Sequence, residues 1–158
     1  MRKNCLILLT IRILAALLVL TMLLFSGLTR GERIALDALT HLGAPYVLGK
    51  AGPEKFDCSG LVLHCFKKWD ISLAHSAEII GTSKEYPMLT DPRQLLVGDV
   101  VCFDTVKDRD PSDHVGIWLG GNSFVHASSS KGEVIISQLE GYYLERFTGA
   151  KRLLCPYF

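Results

Sequence analysis

The order of helical and extended segments most constrains how this 158-residue chain can fold. In its first half, apolar side chains recur at helical spacing, which predicts helices over 32–42 and 58–69 and a short helix near 77–81. In its second half the pattern changes to short apolar runs, which predict strands at 100–103, 114–119, 123–127, 134–137 and 152–155. Helices followed by a meander of strands indicate an α+β fold, with N-terminal helices packed on an antiparallel sheet.

The first thirty residues form a segment of different composition. Arg2 and Lys3 precede an apolar stretch, and residues 13–28 carry no charge. As a helix this core is about 24 Å long, short of the roughly 30 Å hydrocarbon thickness. It becomes long enough when counted back to Cys5, with Arg12 extending toward the headgroups. We expect residues 1–30 to be a hydrophobic signal-anchor helix that precedes one domain at 31–158, and a cleaved signal peptide is the alternative.

Charge outside this segment argues against a nucleic-acid partner. The chain has 17 Lys and Arg against 16 Asp and Glu. Four of the basic residues and none of the acidic ones fall within residues 1–30, which leaves a net charge of −3 for the rest. A nucleic-acid interface requires a clustered basic face, and the sequence shows none.

The five cysteines show no C-x-x-C spacing, so a zinc knuckle or a dithiol redox motif is not predicted. Cys65, Cys102 and Cys155 lie in apolar segments, where a buried structural thiol is the default interpretation. One disulfide stays open for an extracytoplasmic domain, although no spacing favours it.

Cys58 differs from the other cysteines because it follows Asp57 at the head of an apolar run. We interpret Asp57 as the N-cap of a helix, with Cys58 in its first turn. The positive end of a helix dipole and its unpaired N–H groups lower the pKa of a thiol and favour the nucleophilic thiolate. A small buried hydrophobic residue is the alternative interpretation.

The hairpin formed by strands 114–119 and 123–127 carries His114 and His126. Side chains alternate between the two faces of a strand, so the parity of the register decides whether both histidines share a face. A three-residue turn over 119–121 would place His114 opposite His126, with Cβ atoms about 5 Å apart. A two-residue turn would place them on opposite faces. If both take part in chemistry, we expect an odd number of turn residues.

Cys58, His114 and His126 together form a cysteine–histidine arrangement with an orienting third group. In it, His114 either deprotonates the thiol or holds it as a thiolate–imidazolium pair, and His126 orients the His114 ring. The backbone N–H of Cys58 would stabilise an oxyanion. A zinc site made of the same three residues competes on residue types but lacks a fourth ligand. A metal site from the aspartates of 104–113 is disfavoured, because their spacing fits no calcium loop.

Several motifs occur together in one order along the chain. They are Pro45-Tyr46-x-x-Gly49, Phe56-Asp57-Cys58-Ser59-Gly60, Val97-Gly98-Asp99, His114-Val115-Gly116-Ile117 with Leu119-Gly120, Phe124-Val125-His126-Ala127, and the tail from Tyr142 to Arg152. With this combination the chain resembles the NlpC/P60 family of cell-wall cysteine peptidases from residue 32 to 154. It looks closest to the small, single-domain, membrane-associated members.

The resemblance implies a papain-like α+β fold and hydrolysis of peptidoglycan stem peptides. The bond it implies joins D-γ-glutamate to a diamino acid such as meso-diaminopimelate. It also implies Cys58 as nucleophile, His114 as base and His126 as the third polar residue, in agreement with the assignment made from the residues alone.

The resemblance further implies a substrate-binding role for Tyr46, Asp57 and Ser59. For Tyr46 this replaces simple packing, which the loop sequence alone favours. The chain departs from the family at Gly49-Lys50, where Gly-Gly is common. It also departs at 74–79, where a Pro-Arg-Ser-x-x-x-Gln pattern is common, so the preference of that subsite is open.

We therefore expect an exported, extracytoplasmic enzyme that acts on peptidoglycan and needs no metal or cofactor. The chain is expected to be monomeric and to associate with the membrane through its N-terminal helix. Two other functions are considered: a Cys–His amidase or acyltransferase on another envelope substrate, and a non-catalytic wall-binding domain.

Overall fold

The structure is a computed structural model that describes residues 11–19, 21, 27–106 and 112–154. The helices are labelled α1 (Arg30–Leu39), α2 (Cys58–Lys67), α3 (Ala77–Thr82) and α4 (Gly141–Leu144), with a short 3-10 helix at Pro92–Gln94. The strands are β1 (Met88–Leu89), β2 (Val100–Phe103), β3 (His114–Gly120), β4 (Ser123–Ser128), β5 (Glu133–Gln138) and β6 (Phe147–Lys151).

The strands form one antiparallel sheet in the order β1-β6-β2-β3-β4-β5. Helices α1 and α2 pack together and against β3 and β4 on one face. The other face is covered from the C-terminal side, where Tyr143 of α4 packs on a second apolar cluster. Strand β2 is buried on both faces, as its continuous apolar run predicts. The predicted α+β class with an antiparallel sheet is confirmed.

The first two helices begin where side chains satisfy their free N–H groups. Thr29 accepts a hydrogen bond from Glu32 N at 3.2 Å, and the Glu32 carboxylate accepts one from Thr29 N at 2.7 Å. This capping box starts α1 two residues before the predicted start, and α1 ends at Leu39 instead of residue 42. Asp57 caps α2 as predicted, with its Oδ1 accepting from Gly60 N at 2.7 Å.

The hairpin between β3 and β4 corrects the predicted turn. Gly120 pairs with Ser123, which leaves a two-residue turn, whereas an odd number was expected. However, the register shifts between Trp118 and Gly120, so Leu119 is the extra residue of a β-bulge. The bulge restores the parity that a two-residue turn would otherwise reverse.

As a result, both histidines share a face, but they are not directly opposite. The register of β3 and β4 places Gly116, and not His114, across from His126. A Cβ on Gly116 would lie 3.2 Å from that of His126 and 2.7 Å from a ring carbon of Phe124. Glycine therefore leaves room for the two histidines to meet diagonally.

The predictions for the two ends of the chain, the signal-anchor at 1–30 and the strand at 152–155, are not confirmed. Residues 11–19 and 21 are helical, while 1–10, 20 and 22–26 lie outside the described residues. Among the described residues, no helix is both long and apolar enough to cross a membrane. The signal-anchor and the boundary at residue 30 stay predictions. The closing strand predicted at 152–155 is wrong for residues 152–154, because β6 ends at Lys151; Cys155 lies outside the described residues.

The cysteines and the aspartate loop are partly described. Cys58, Cys65 and Cys102 are free and buried, which agrees with structural roles for the latter two. Cys5 and Cys155 lie outside the described residues, as do residues 107–111 of the aspartate loop.

Candidate active site

Cys58 is the first residue of α2, and its side chain faces the start of β3. The backbone N–H of Val115, the residue that follows His114, lies near enough to the sulfur to lower the pKa of the thiol. The N–H groups of Ser59 and of Cys58 itself also point to the sulfur. With a relative exposure of 9%, Cys58 is almost fully buried. The structure thus brings the predicted nucleophile to the strand that carries the predicted base.

The pKa of the Cys58 thiol differs from the sequence-based expectation. Burial raises this pKa, and the charge of Asp57 adds to the effect, while the N–H groups of Val115 and Ser59 lower it only in part. The helix N-terminus contributes as expected, but removal from water outweighs it. The raised pKa favours a neutral thiol near pH 7.

His114 and His126 form a direct contact. His114 Nε2 lies 2.7 Å from His126 Nδ1, and the two rings meet edge to face. His126 has no exposed surface. Burial lowers the pKa of His114 to about 4. Burial and the neighbouring His114 lower the pKa of His126 to about 3. Both rings are therefore neutral near pH 7, and each has one donor and one acceptor nitrogen.

Ser137 and Tyr143 extend this contact on the far side of the His126 ring. Neither residue was selected from the sequence alone. His126 Nε2 lies 3.0 Å from Ser137 Oγ in β5 and 3.4 Å from the Tyr143 hydroxyl in α4. Burial raises the pKa of Tyr143, and the nearby Ser137 hydroxyl lowers it in part. Ser137 lies in the predicted strand 134–137, so its alternation with the apolar residues is the signal that could have placed it beside His126.

Asp57 holds several parts of the site together. Its Oδ1 accepts from Gly60 N at 2.7 Å and from Ser59 Oγ at 3.1 Å, and its Oδ2 accepts from Gly49 N at 2.6 Å. His75 Nε2 lies 2.9 Å from Oδ1 and 3.0 Å from Oδ2. Burial raises the pKa of Asp57, but these hydrogen bonds outweigh burial and leave it lowered. His75 is thus the partner of a buried carboxylate, a role that the sequence does not indicate.

The other two predicted binding residues, Tyr46 and Ser59, lie near Asp57. Tyr46 is half-buried and packs against the core, and the charges of Cys58 and Asp57 act on its phenol. Burial, followed by those charges, raises the pKa of Tyr46. Ser59 is buried, with its hydroxyl directed to Asp57. Tyr46 therefore combines the two alternatives of packing and proximity to the site.

The zinc alternative at Cys58 gains no support from the geometry. Within 11–19, 21, 27–106 and 112–154, one group of three potential metal-ligand side chains comes together, and it consists of Asp37, His41 and His64. His114 Nε2 and His126 Nδ1 face each other in a hydrogen bond, so these two nitrogens are not directed at a zinc ion shared with Cys58.

The fold and the site define an α+β domain with a cysteine at a helix N-terminus and a pair of histidines on the adjoining strands. The model for the NlpC/P60 family matches residues 43–152. This chain belongs to the NlpC/P60 family, as the sequence resemblance predicted.

Three similar proteins illustrate the relationship. Murein DD-endopeptidase MepH of Escherichia coli K12 is 32% identical over 135 residues, which cover 80% of this chain and 48% of that protein. Murein DD-endopeptidase MepS/Murein LD-carboxypeptidase of the same strain is 34% identical over 113 residues, covering 71% and 57%. The structure of NlpC2 from Trichomonas vaginalis has a TM-score of 0.71 and 29% identity, covering 80% of this chain and 47% of that one.

The matches span only part of the similar proteins. The chain covers between 24% and 57% of the length of the curated relatives. These relatives are named endopeptidases or probable endopeptidases.

Proposed function

We propose that this protein is an exported cysteine endopeptidase that hydrolyses peptidoglycan stem peptides. The observation that carries the proposal is the hydrogen-bonded series His114–His126–Ser137. This series begins in β3, the strand whose Val115 N–H lowers the pKa of the Cys58 thiol. His126 is fully buried, and a buried imidazole is costly unless it is used or fully paired. Membership of the NlpC/P60 family and the names of the relatives support the same activity.

The first step is proton transfer from Cys58 to His114. Because Nε2 of His114 contacts His126, Nδ1 is the ring nitrogen left to act as base. A base at Nδ1 requires the proton on Nε2, which donates to His126 Nδ1. His126 then carries its own proton on Nε2 and donates it to Ser137. Neutral resting groups favour general-base catalysis over a preformed thiolate–imidazolium pair.

The thiolate then attacks the carbonyl carbon of the scissile amide. The carbonyl π electrons move to oxygen, and the Cys58 N–H at the start of α2 stabilises this oxyanion. When the intermediate collapses, the C–N bond breaks and the amine leaves with the proton from His114. Water then gives its proton to His114, and the resulting hydroxide attacks the thioester. The carboxylic acid is released, and the proton returns to Cys58.

The proposed bond joins D-γ-glutamate to a diamino acid. Tyr46, Asp57 and Ser59 are proposed to bind the stem peptide, and the influence of Cys58 on the Tyr46 phenol supports this position. Asp57 is 4% exposed, so we propose that it acts mainly by fixing Gly49 and His75 around the substrate. The names of the murein DD-endopeptidases favour a second candidate bond, in the cross-bridge between stem peptides.

We further propose an extracytoplasmic location, with membrane attachment through the N-terminal segment and a monomeric enzyme. The uncharged run at 13–28 and the location of peptidoglycan outside the cell membrane support this proposal. Detergent requirement and sedimentation of the full chain, compared with a chain that starts at residue 31, would test attachment and monomeric state.

Mass spectrometry of digested peptidoglycan tests the activity and the bond together. Wild-type protein is expected to release fragments with a new amino terminus on the diamino acid, and Cys58→Ala is expected to release none. Loss of the cross-bridge alone would favour the second bond. Unchanged peptidoglycan with wild-type protein, or transfer of the acyl group to an added amine instead of water, would contradict the hydrolase proposal.

A further inference from the structure

A second group of ionisable side chains lies where α1 meets α2. Asp37 lies in the last turn of α1, His41 follows it by four residues, and His64 lies in α2. One ligand atom from each residue lies within 4.8 Å of the others. His64 is six residues beyond Cys58, so it lies about 9 Å further along the helix axis than the thiol.

Two atoms of this group lack hydrogen-bond partners. In the part of the chain that the structure describes, Asp37 Oδ2 and His41 Nε2 are buried and make no hydrogen bond. Buried polar atoms are nearly always paired, so each exception calls for an explanation. The other carboxylate oxygen, Asp37 Oδ1, accepts from Lys68 Nζ at 2.6 Å. Lys68 therefore orients the carboxylate, whose other close neighbour is the thiol of Cys65 in α2.

The surrounding side chains hold both imidazoles in place. The ring centroids of His41 and His64 lie 4.9 Å apart, edge to face, and the Phe56 ring lies 4.7 Å from His41. Gly52 packs so closely that a Cβ would lie 2.7 Å from His64 Nδ1.

We propose that Asp37, His41 and His64 bind a divalent transition-metal ion, for which Zn²⁺ is the best match. Two imidazole nitrogens and one carboxylate oxygen form a donor set that Zn²⁺ accepts, with water at the remaining position. An ion there would satisfy both unpaired atoms. The Lys68 contact to Oδ1 is then the outer hydrogen bond that ligating carboxylates commonly have.

The site connects two structural elements, and one of its three ligands faces a cleft. His64 lines this cleft of about 850 Å³ together with Lys67, Lys68 and Asp70, whereas the unpaired atoms of Asp37 and His41 are buried. Asp37 and His41 come from α1 and the turn after it, and His64 comes from the helix that begins with Cys58. The ion fixes α1 to α2 and stabilises the folded chain, since it binds only where the three ligands meet. This role does not depend on peptidase activity.

Calorimetric titration of the full chain with ZnCl₂, paired with thermal melting, tests the proposal. The parent protein carries Cys58→Ala, so that zinc bound by the thiol is not mistaken for this site. We expect one ion per chain and a Tm that rises with zinc. Asp37→Asn should weaken zinc binding at least tenfold, since loss of even an outer-shell partner costs about 10–100-fold.

Two further variants separate a metal site from a general effect of charge. Asp70→Asn makes the same isosteric change in the wall of the cleft and should bind zinc as the parent does. His64→Gln should weaken binding as Asp37→Asn does, and it keeps the test decisive if Asp37→Asn fails to fold. Equal affinity in all variants, or a parent that does not bind one equivalent of zinc, overturns the proposal.

Discussion

Replacing His126 by Leu should slow the proposed reaction while leaving the nucleophile and the base in place. His126 Nδ1 lies 2.7 Å from His114 Nε2 and is positioned to accept its proton. Leu fills a similar volume but offers no acceptor. Asn places an amide oxygen near the position of Nδ1, so His126→Asn keeps the acceptor and loses only the contacts with Ser137 and Tyr143.

The magnitude follows from the charge that develops on His114. Hydrogen bonds contribute about 0.5–1.5 kcal/mol between neutral groups and about 1.5–3 kcal/mol when one partner is charged. The contact with His126 therefore strengthens by about 1–1.5 kcal/mol in the transition state, or roughly 5- to 13-fold in rate. Loss of tautomer control adds to this. We expect His126→Leu to lower kcat by about 10- to 100-fold and His126→Asn by about tenfold or less.

Turnover of purified stem peptides, quantified by mass spectrometry, gives kcat and KM for each variant. KM should change little, because His126 has no exposed surface with which to contact substrate. Cys58→Ala gives the background rate, and circular dichroism shows whether each variant is folded. Wild-type kcat in His126→Leu, or an Asn variant as slow as the Leu variant, would refute the reasoning.

Three further predictions concern other parts of the site. Alkylation of Cys58 by iodoacetamide should accelerate only above about pH 8.5, the pKa of an ordinary thiol, because burial raises its pKa; a rate that is already constant near pH 7 would indicate a preformed thiolate. His75→Ala should destabilise the protein by about 1 kcal/mol. Because the pKa of Asp57 is lowered in the folded state, the destabilisation caused by His75→Ala is fully present above about pH 3.9 and is lost below it. Equal Tm values for the wild type and His75→Ala at pH 6 would contradict the pairing of His75 with Asp57. Gly116→Ala should cost about 1–3 kcal/mol through overpacking and reduce activity by displacing His126, and an unchanged Tm would contradict the close packing.

The sequence predicts most elements to within one to three residues where the signal is local. The apolar run at β2 and the hairpin residues of β3 and β4 show the strand period directly. The N-cap at Asp57 follows from the residue type and the apolar run after it. These features depend on neighbours along the chain, so one sequence is enough to find them.

The bulge at Leu119 could not be predicted from the same pattern. Gly120, Gly121 and Asn122 have positive φ values of 84°, 57° and 69°, which suit a tight two-residue turn preceded by a bulge. A three-residue turn and a two-residue turn with a bulge both give the shared face that the histidines require. The choice between them depends on packing across the hairpin, which periodicity does not report.

Contacts between residues that meet only in the folded chain also could not be predicted from the sequence. His75 reaches Asp57 across 18 positions, and Tyr143 reaches His126 across 17. The direction of the Cys58 pKa shift belongs to the same class, because it depends on how much water the fold removes from the thiol. Residue types indicate which groups can react, whereas burial sets their resting protonation.

One feature of the fold links the nucleophile and the proposed base directly. Val115, whose N–H contacts the Cys58 sulfur, follows His114 in β3. Burial makes the thiolate and the imidazolium both unfavourable at rest, so catalysis requires that both are stabilised at the same moment. The Val115 N–H stabilises the first and His126 the second, and β3 with its hairpin partner positions both. A shift of β3 relative to the start of α2 would therefore weaken both stabilising contacts together, which makes the packing of α2 on β3 the contact on which the proposed activity most depends.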